Sequence, residues 1–351
     1  MRISKKFISG IQLDSAGLVA LADLSTIQQR TALMGTASIF DILFLAPGIH
    51  TQQDADCVNC GELPTTGALH SGYVFRVENP ATVNYLRKIG RTGHLVTVHV
   101  QDETRRTRLA RHLARLLVGG PVASLLYALG IALTVACVAI LGAVGDLWAM
   151  GVLLMLVGAR LLNTIVVTRR ARMGWKGAPE PGVRGDLLVL LSQDRWIRMQ
   201  GLVDDIKAVT AGHWLREQTA REGFVSAFAM LLVYGSAALA PNSTTFGNLL
   251  IALLLLISVA MLEVCNSLTD DMHVFDRRIS VAYPPKKYTR RLDMVKELVV
   301  ESGRHDWAVK MDLVSEEAIL KMTKDGIETP QEKDTGQAFS MRVSEVPSNI
   351  C

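Results

Sequence analysis

Two charged side chains stand inside otherwise apolar runs, and their placement is the first feature that could do chemistry. Arg160 lies nine positions before Arg169, and Glu263 lies seven before Asp270. Each is followed three residues later by an asparagine, Asn163 and Asn266, and that spacing puts both members of each pair on one helical face. An arginine and a glutamate at similar depth, with amide neighbours, suit an intramembrane ion pair that ties two helices together or a polar lining between helices. They also suit two side chains that snorkel separately to the headgroups. One Arg and one Glu do not make a conduction pathway, so the expectation is separate snorkelling or a structural pair rather than transport.

Other constellations are weaker. Cys57-x-x-Cys60 has a spacing used by zinc sites, but the nearby His50 and His70 match no common zinc module and no second Cys pair follows. No metal or other cofactor is expected. The acidic pairs Asp204-Asp205 and Asp270-Asp271 could hold a magnesium-diphosphate group, yet a repeat at helical spacing from Asp270 would need an acid at position 274, which is Val274. Asp276 comes too late for that pattern, and both pairs read as acidic caps. Gly90-Arg-Thr-Gly93 lacks the lysine of a phosphate loop and reads as a turn between helix and strand. The terminal Cys351 is not four from the end, so it completes no prenylation box. Five cysteines, Cys57, Cys60, Cys137, Cys265 and Cys351, are too few and too scattered for a disulfide framework.

The elements that must position these residues are set by hydropathy. Of the 351 residues, 49% are apolar, and the excess is concentrated in 116–168 and 223–268. Leu116 to Gly145 holds no charge, which is long enough to cross a bilayer core of roughly 30 Å at about 1.5 Å per residue. Leu147 to Thr168 is a second span interrupted only by Arg160; Gly223 to Ala240 is a third; Phe246 to Leu262 is a fourth. The expected fold is therefore mainly α: a polytopic membrane protein with four transmembrane helices in two hairpins and small cytosolic α/β pieces.

Orientation follows from the flanks. Seventeen basic residues, from Arg105 through Arg115, Arg169 through Lys176, Arg216 with Arg221, and Arg277 through Arg291, lie on one side, and the two hairpin loops hold none. The positive-inside rule makes that side cytosolic. The net charge of only +4, with Arg clusters abutting apolar runs, excludes a nucleic-acid reading and points to a lipid bilayer. Asn242-Ser243-Thr244, in the second outer loop, is a glycosylation acceptor pattern, although so short a loop holds Asn242 near the headgroups and reads equally as a helix-breaking turn.

The organisation expected is a cytosolic region over 1–104, the basic flank and first hairpin over 105–168, a cytosolic lobe over 169–222, the second hairpin over 223–268, a cytosolic region with an amphipathic helix over 269–323, and a disordered tail over 324–351. Ala32 to Ile49 is apolar apart from Asp41 and reads as a buried or interfacial helix rather than a fifth span, because an intramembrane aspartate is costly. Arg2, Lys5 and Lys6 are followed by Ser9-Gly10 and Asp14, unlike a signal peptide. Tyr73 to Val77 and His94 to Val100 have strand character, with Tyr85 to Ile89 a short helix between them. Asp186 to Ser192 and Trp196 to Gly201 read as an antiparallel pair across Gln193-Asp194-Arg195, and Leu202 to Glu222 reads as a helix leading into the third span. Tyr288 to Ser302 groups Leu292, Val295, Leu298 and Val299 on one face, for packing on the membrane or on the lobe.

Gly185 to Gly201 and the stretch from Tyr288 to Leu298 resemble segments of uncharacterised integral membrane proteins of filamentous fungi, a likeness that covers roughly residues 105–315. The resemblance implies an endomembrane or plasma-membrane protein without an established activity, and it allows an accessory role in a secondary-metabolite pathway. It supplies no catalytic residues. The expected function is a non-enzymatic membrane protein at the endoplasmic reticulum or another endomembrane that anchors or organises protein partners through its cytosolic lobe and C-terminal helix. The alternatives are a small transporter or channel, for which Arg160 and Glu263 should face one water-accessible cavity, and a membrane-embedded biosynthetic enzyme, with Asp270, Asp271 and His273 converging at the cytosolic mouth.

Overall fold

The computed structural model describes residues 16–103 and 119–317. The basic flank Arg105 to Arg115, the N-terminal basic residues and the tail from 324 lie outside the described residues. Within them are four helices long and apolar enough to cross a membrane, together with a small sheet. The chain begins with α1 (Ala16–Ala20) and α2 (Thr26–Met34), runs through 3-10 turns at Ile39–Leu43 and Gln52–Asn59, and enters β1 (Thr65–Ala68), β2 (Val74–Arg76), α3 (Pro80–Ile89) and β3 (His94–Asp102). The four long helices are α4 (Gly120–Val144), α5 (Leu147–Arg170), α7 (Ala220–Leu239) and α8 (Thr245–Leu268). Between α5 and α7 lie β4 (Arg184–Leu191), β5 (Arg195–Leu202) and α6 (Val203–Thr210). After α8 come β6 (Met272–Val274), β7 (Arg277–Val281), β8 (Lys286–Lys287), α9 (Arg291–Ser302) and α10 (Asp306–Lys310).

Each long helix ends where its sequence supplies a cap. Gly145 takes a left-handed conformation at φ 76° and closes α4, and Asp146 then caps α5 by accepting the Ala149 amide at 3.1 Å. Thr219 and Glu222 form a capping box on α7; Thr244 caps α8 by accepting the Gly247 amide at 3.0 Å. Although α4 and α5 are consecutive, α4 packs mainly on α8, and α5 mainly on α7. The 3-10 turn Ile39–Leu43 touches both α4 and α5, and Phe44 stacks on Tyr127 of α4 with ring centroids 5.1 Å apart.

The segment Ala32 to Ile49 is buried, as its sequence suggests, but it is not a single helix. After α2, Gly35 (φ 66°) and Gly48 (φ 89°) adopt backbone open mainly to glycine, and Phe44 to Ile49 run as irregular chain packed in the bundle core. Irregular backbone at this depth is tolerated because protein encloses it. Only the turn's tip, with Ile39, Phe40 and Leu43, is exposed.

One sheet gathers all the strands in the order β2-β1-β4-β5-β3-β7-β6, with β8 also on β3. The expected hairpin forms as β4 and β5, its turn made by Ser192, Gln193 and Asp194, the last two at positive φ. All strand pairs are antiparallel except β3 with β5, a parallel pair whose connection runs through α4, α5 and β4. A core of Val96, Val98, Val189, Ile197 and Met199 fills the face towards α2, α3 and α6, while Leu95, Leu188 and Trp196 meet Met294, Leu298 and Trp307 of α9 and α10 on the other. So α9 packs on the sheet, and Leu292, expected on its buried face, is 38% exposed. The helix expected from Leu202 to Glu222 breaks after Thr210. Gly212 turns the chain at φ 71°, and Trp214 enters the core with its indole N–H on the Gly35 carbonyl oxygen at 2.7 Å, a burial that outweighs helix propensity there.

Candidate functional site

The C-terminal half of α5 directs Arg160 and Asn163 into the protein, where they are 2% and 1% exposed. Arg160 does not meet Glu263. Its Nε donates to the Asp41 carbonyl oxygen at 3.0 Å, and its Nη1 is buried without a hydrogen-bond partner. The Asp41 carboxylate accepts from the Tyr127 hydroxyl and from the Ser38 amide, the latter at 2.6 Å, and the Arg30 guanidinium lies 5.5 Å from the centre of the Tyr127 ring. Glu263 stands exposed on α8 beside a separate cavity. The expected ion pair is thus replaced by contacts of Arg160 with the inserted segment, because residues 39–44 occupy the space between the helices that the sequence alone left open.

The two asparagines do share a task. Asn163 donates to the Ile49 carbonyl oxygen at 2.7 Å and accepts from Gln53 Nε2 at 3.1 Å, and Asn266 donates to the Thr26 carbonyl oxygen at 3.0 Å. They hold the N-terminal segment at both ends. Further polar links join the bundle to α3 and to the 3-10 turn Gln52–Asn59: Lys88 Nζ donates to the carbonyl oxygens of Asn266 (2.6 Å) and Thr269 (2.5 Å), the Tyr85 hydroxyl donates to the Asp270 carbonyl oxygen (2.7 Å), and Arg170 Nη1 donates to the Gln53 carbonyl oxygen (3.0 Å). Partial burial draws the Lys88 ammonium below the ordinary lysine value.

Where β3 and β5 end and β4 begins is an open cleft of about 620 Å3 lined by His99, Gln101, Asp102, Arg184, Asp186 and Gln200, among others. Its acids are already engaged. Asp186 accepts from Arg198 and Gln200, and Arg277 reaches Asp205 at 2.8 Å and Asp102 at 3.6 Å. These bonds hold Arg198 charged and commit the acids to neighbours already in place. Exposed Val183, Leu202, Val281 and Tyr283 offer apolar surface on the elements around the cleft, and the Tyr283 ring meets His99 edge-on.

The remaining sequence candidates are dispersed. Asp271 pairs with Arg278, His273 is buried against Glu103 at 3.3 Å, and Asp270 is exposed, so the three do not converge on one cavity. Asp204 accepts the Glu180 amide, apart from Asp205 on Arg277. His50 packs near Tyr234 and His70 accepts the Asp186 amide, while Cys57 and Cys60 face a different cavity. Among the described residues no group of three or more His, Cys, Asp or Glu is placed to hold a metal ion. Asn242 is exposed, and the hydroxyl of Thr244, the third residue of its acceptor pattern, donates to Asp146 Oδ2 at 2.6 Å.

Tyr127, Arg30 and Gln53 escaped the sequence reading because a lone polar residue in an apolar run gives no sign of its partner. Asp146 stands just ahead of the apolar run from Leu147, an N-cap signal that could have marked it. Comparison with protein-family models, with curated proteins and with solved structures finds no match to the chain.

Proposed function

We propose that this is an integral membrane protein that crosses an endomembrane four times as two hairpins and holds a rigid docking lobe for protein partners at the cytosolic face. One observation carries the reading: a single sheet takes strands from before α4, from between α5 and α7, and from after α8. Three chain segments that pair in one sheet lie on one side of a bilayer, so each intervening pair of long helices must cross and return. The seventeen basic residues flank the helices on that side, which the positive-inside rule assigns to the cytosol.

The lobe is tied to the bundle by side-chain bonds from α3, and it carries a polar cleft with apolar surface nearby, the anatomy of a recognition face. The transport reading is weakened because Arg160 and Glu263 share no cavity, and the enzymatic one because Asp270, Asp271 and His273 do not converge. A place as an accessory of a biosynthetic pathway rests on the sequence resemblance alone.

Two measurements test the reading. Cysteine accessibility at positions 144, 195 and 243 in intact membranes should report 195 on one side and 144 with 243 on the other; 144 and 195 on one side would sink the topology. A photo-crosslinking residue at Gln101 should yield a discrete protein adduct in membranes, suppressed by Asp186→Lys on the cleft wall. No adduct, or adducts indifferent to that change, would remove the docking role.

A further inference from the structure

A second cavity, of about 530 Å3, lies where α2, α3 and the inner end of α8 meet. Its wall carries three cations, Arg87, Lys88 and Arg195, and one acid, Glu263, together with Asn84, Asn266 and Ser267. Arg87 has a carboxylate partner, Glu62 at 3.2 Å. The other two cations have none among the described residues; they are held by neutral oxygens. Lys88 spends two of its three N–H donors on the carbonyl oxygens of Asn266 and Thr269, and Arg195 spends three of its five on Ser192 and on the Arg87 carbonyl oxygen. Glu263 makes no direct ion pair among the described residues, although its charge acts on Lys88 on the same wall, so the cavity presents charge of both signs without contact pairing.

Its depth is set by the sequence. The apolar run Phe246 to Leu262 ends at Glu263, so the cavity sits at the boundary between hydrocarbon and headgroups once α8 spans the bilayer. Seven residues earlier, and so on the same face of α8, Leu256 is 52% exposed, with Leu253 (49%) and Ile257 (38%) beside it. A polar chamber therefore opens at the head of an unpartnered apolar stripe.

We propose that this cavity binds a phosphodiester bearing a primary amine, the headgroup chemistry of an aminophospholipid of the leaflet next to the sheet. Arg195, Lys88 and Arg87 receive the phosphate, Glu263 receives the ammonium, and the acyl chains lie along Leu256, Leu253 and Ile257. The cations favour any phosphate, and Glu263 supplies the preference for an amine over a neutral or quaternary headgroup, because only a primary ammonium donates hydrogen bonds to it. The inference needs the bilayer placement of α8 but not the docking role of the lobe.

The test uses the full chain in nanodiscs, with two readouts: co-purified lipid measured by mass spectrometry, and the rate of maleimide labelling at Cys60, an exposed thiol on the cavity wall, in a Cys57→Ser, Cys351→Ser background. Phosphatidylethanolamine should be retained over phosphatidylcholine and phosphatidylglycerol and should slow labelling. Arg195→Gln should weaken retention about tenfold, the loss of one charge-assisted contact. Glu263→Gln should keep phosphate binding and erase the preference over phosphatidylglycerol. Lys88 also caps α8, so Lys88→Gln counts only if the variant keeps the wild-type melting temperature. Soluble glycerophosphoethanolamine distinguishes the sources: weak protection of Cys60 assigns the lipid, and protection equal to the lipid's assigns a soluble phosphodiester to the same site. Equal retention of all three lipids, or a wild-type lipid preference in both Arg195→Gln and Glu263→Gln, overturns the proposal. If topology mapping places position 195 opposite to the inner end of α8, the bilayer reading itself has failed instead.

Discussion

Asn163 donates its side-chain N–H to the Ile49 carbonyl oxygen across 2.7 Å, linking the C-terminal half of α5 to the end of the inserted segment. The same amide oxygen accepts from Gln53, so Asn163→Ala removes both bonds in a buried site, leaving Gln53 Nε2 only the Asn163 main-chain carbonyl and the Ile49 carbonyl only the longer bond from the Gln52 amide. The expected cost is about 1–3 kcal/mol, read as a lower melting temperature of the purified protein in detergent. Asn163→Asp should be worse, because it replaces the donor with a buried charge facing a carbonyl oxygen.

Arg160 and Glu263 should behave as strangers. In a double-mutant cycle of Arg160→Ala and Glu263→Ala the effects on unfolding should add within about 0.5 kcal/mol. Asp41→Asn and Tyr127→Phe should fail to add, since the two side chains bond each other. A coupling of 1 kcal/mol or more between Arg160 and Glu263 would restore the ion pair that the sequence suggested.

At the opposite end of the bundle Asp146 Oδ2 accepts from both the amide (2.9 Å) and the hydroxyl (2.6 Å) of Thr244, so one carboxylate ties the two helix-to-helix turns together. Asp146→Ala should destabilise by about 1–3 kcal/mol, and Thr244→Ser should keep most of the link. Because this hydroxyl is committed to the cap, Asn242 is expected to be unmodified. Endoglycosidase treatment should leave the wild-type mobility unchanged, and a variant with the loop lengthened around Asn242 should acquire a shift.

Gly130 leaves room for Phe44: a Cβ there would lie 2.3 Å from a ring carbon. Gly130→Val should cost about 1–3 kcal/mol through overpacking. On the same helix an added Cβ at Gly142 meets nothing within 4 Å, so Gly142→Ala serves as the neutral control. Equal melting temperatures for the two variants would show that the inserted segment does not rest on α4.

The docking of α9 and α10 should weaken in acid. The hydrogen bond from Lys286 holds the Glu297 carboxyl below the usual carboxylate range, and that from Arg304 does the same for Asp306. A depressed folded pKa adds stability that is fully present above the unfolded value, about 4, and is lost as pH falls through the folded value. Trp307, buried in α10, reports this packing. In a variant with Trp307 as its only tryptophan, emission should shift to the red below about pH 4, and Asp306→Asn should remove part of that pH dependence. Emission constant down to pH 3 would mean these bonds contribute nothing.

The four long helices, the β4–β5 hairpin and the strand character of β3 were legible in the sequence because each is set by local causes: apolar length against bilayer thickness, alternation, and a turn between two apolar runs. The candidate site was legible only in part. Asn163 and Asn266 were singled out by their spacing from Arg160 and Glu263, but their bonding partners were not visible, since each bonds a backbone carbonyl more than one hundred residues away, and no sequence pattern marks a carbonyl as the partner of a distant side chain. The same reason hid the single sheet. Its strands come from three blocks separated by membrane-length helices, and whether they pair is decided by long-range packing against shared cores. By itself the sequence determined which helices are long and apolar enough to enter a bilayer. Only the tertiary structure decided that residues 36–49 fill the gap between α4 and α5, that Arg160 serves that segment rather than Glu263, and that Glu263 is left to face a cationic cavity, because those outcomes depend on which distant surfaces exclude water together.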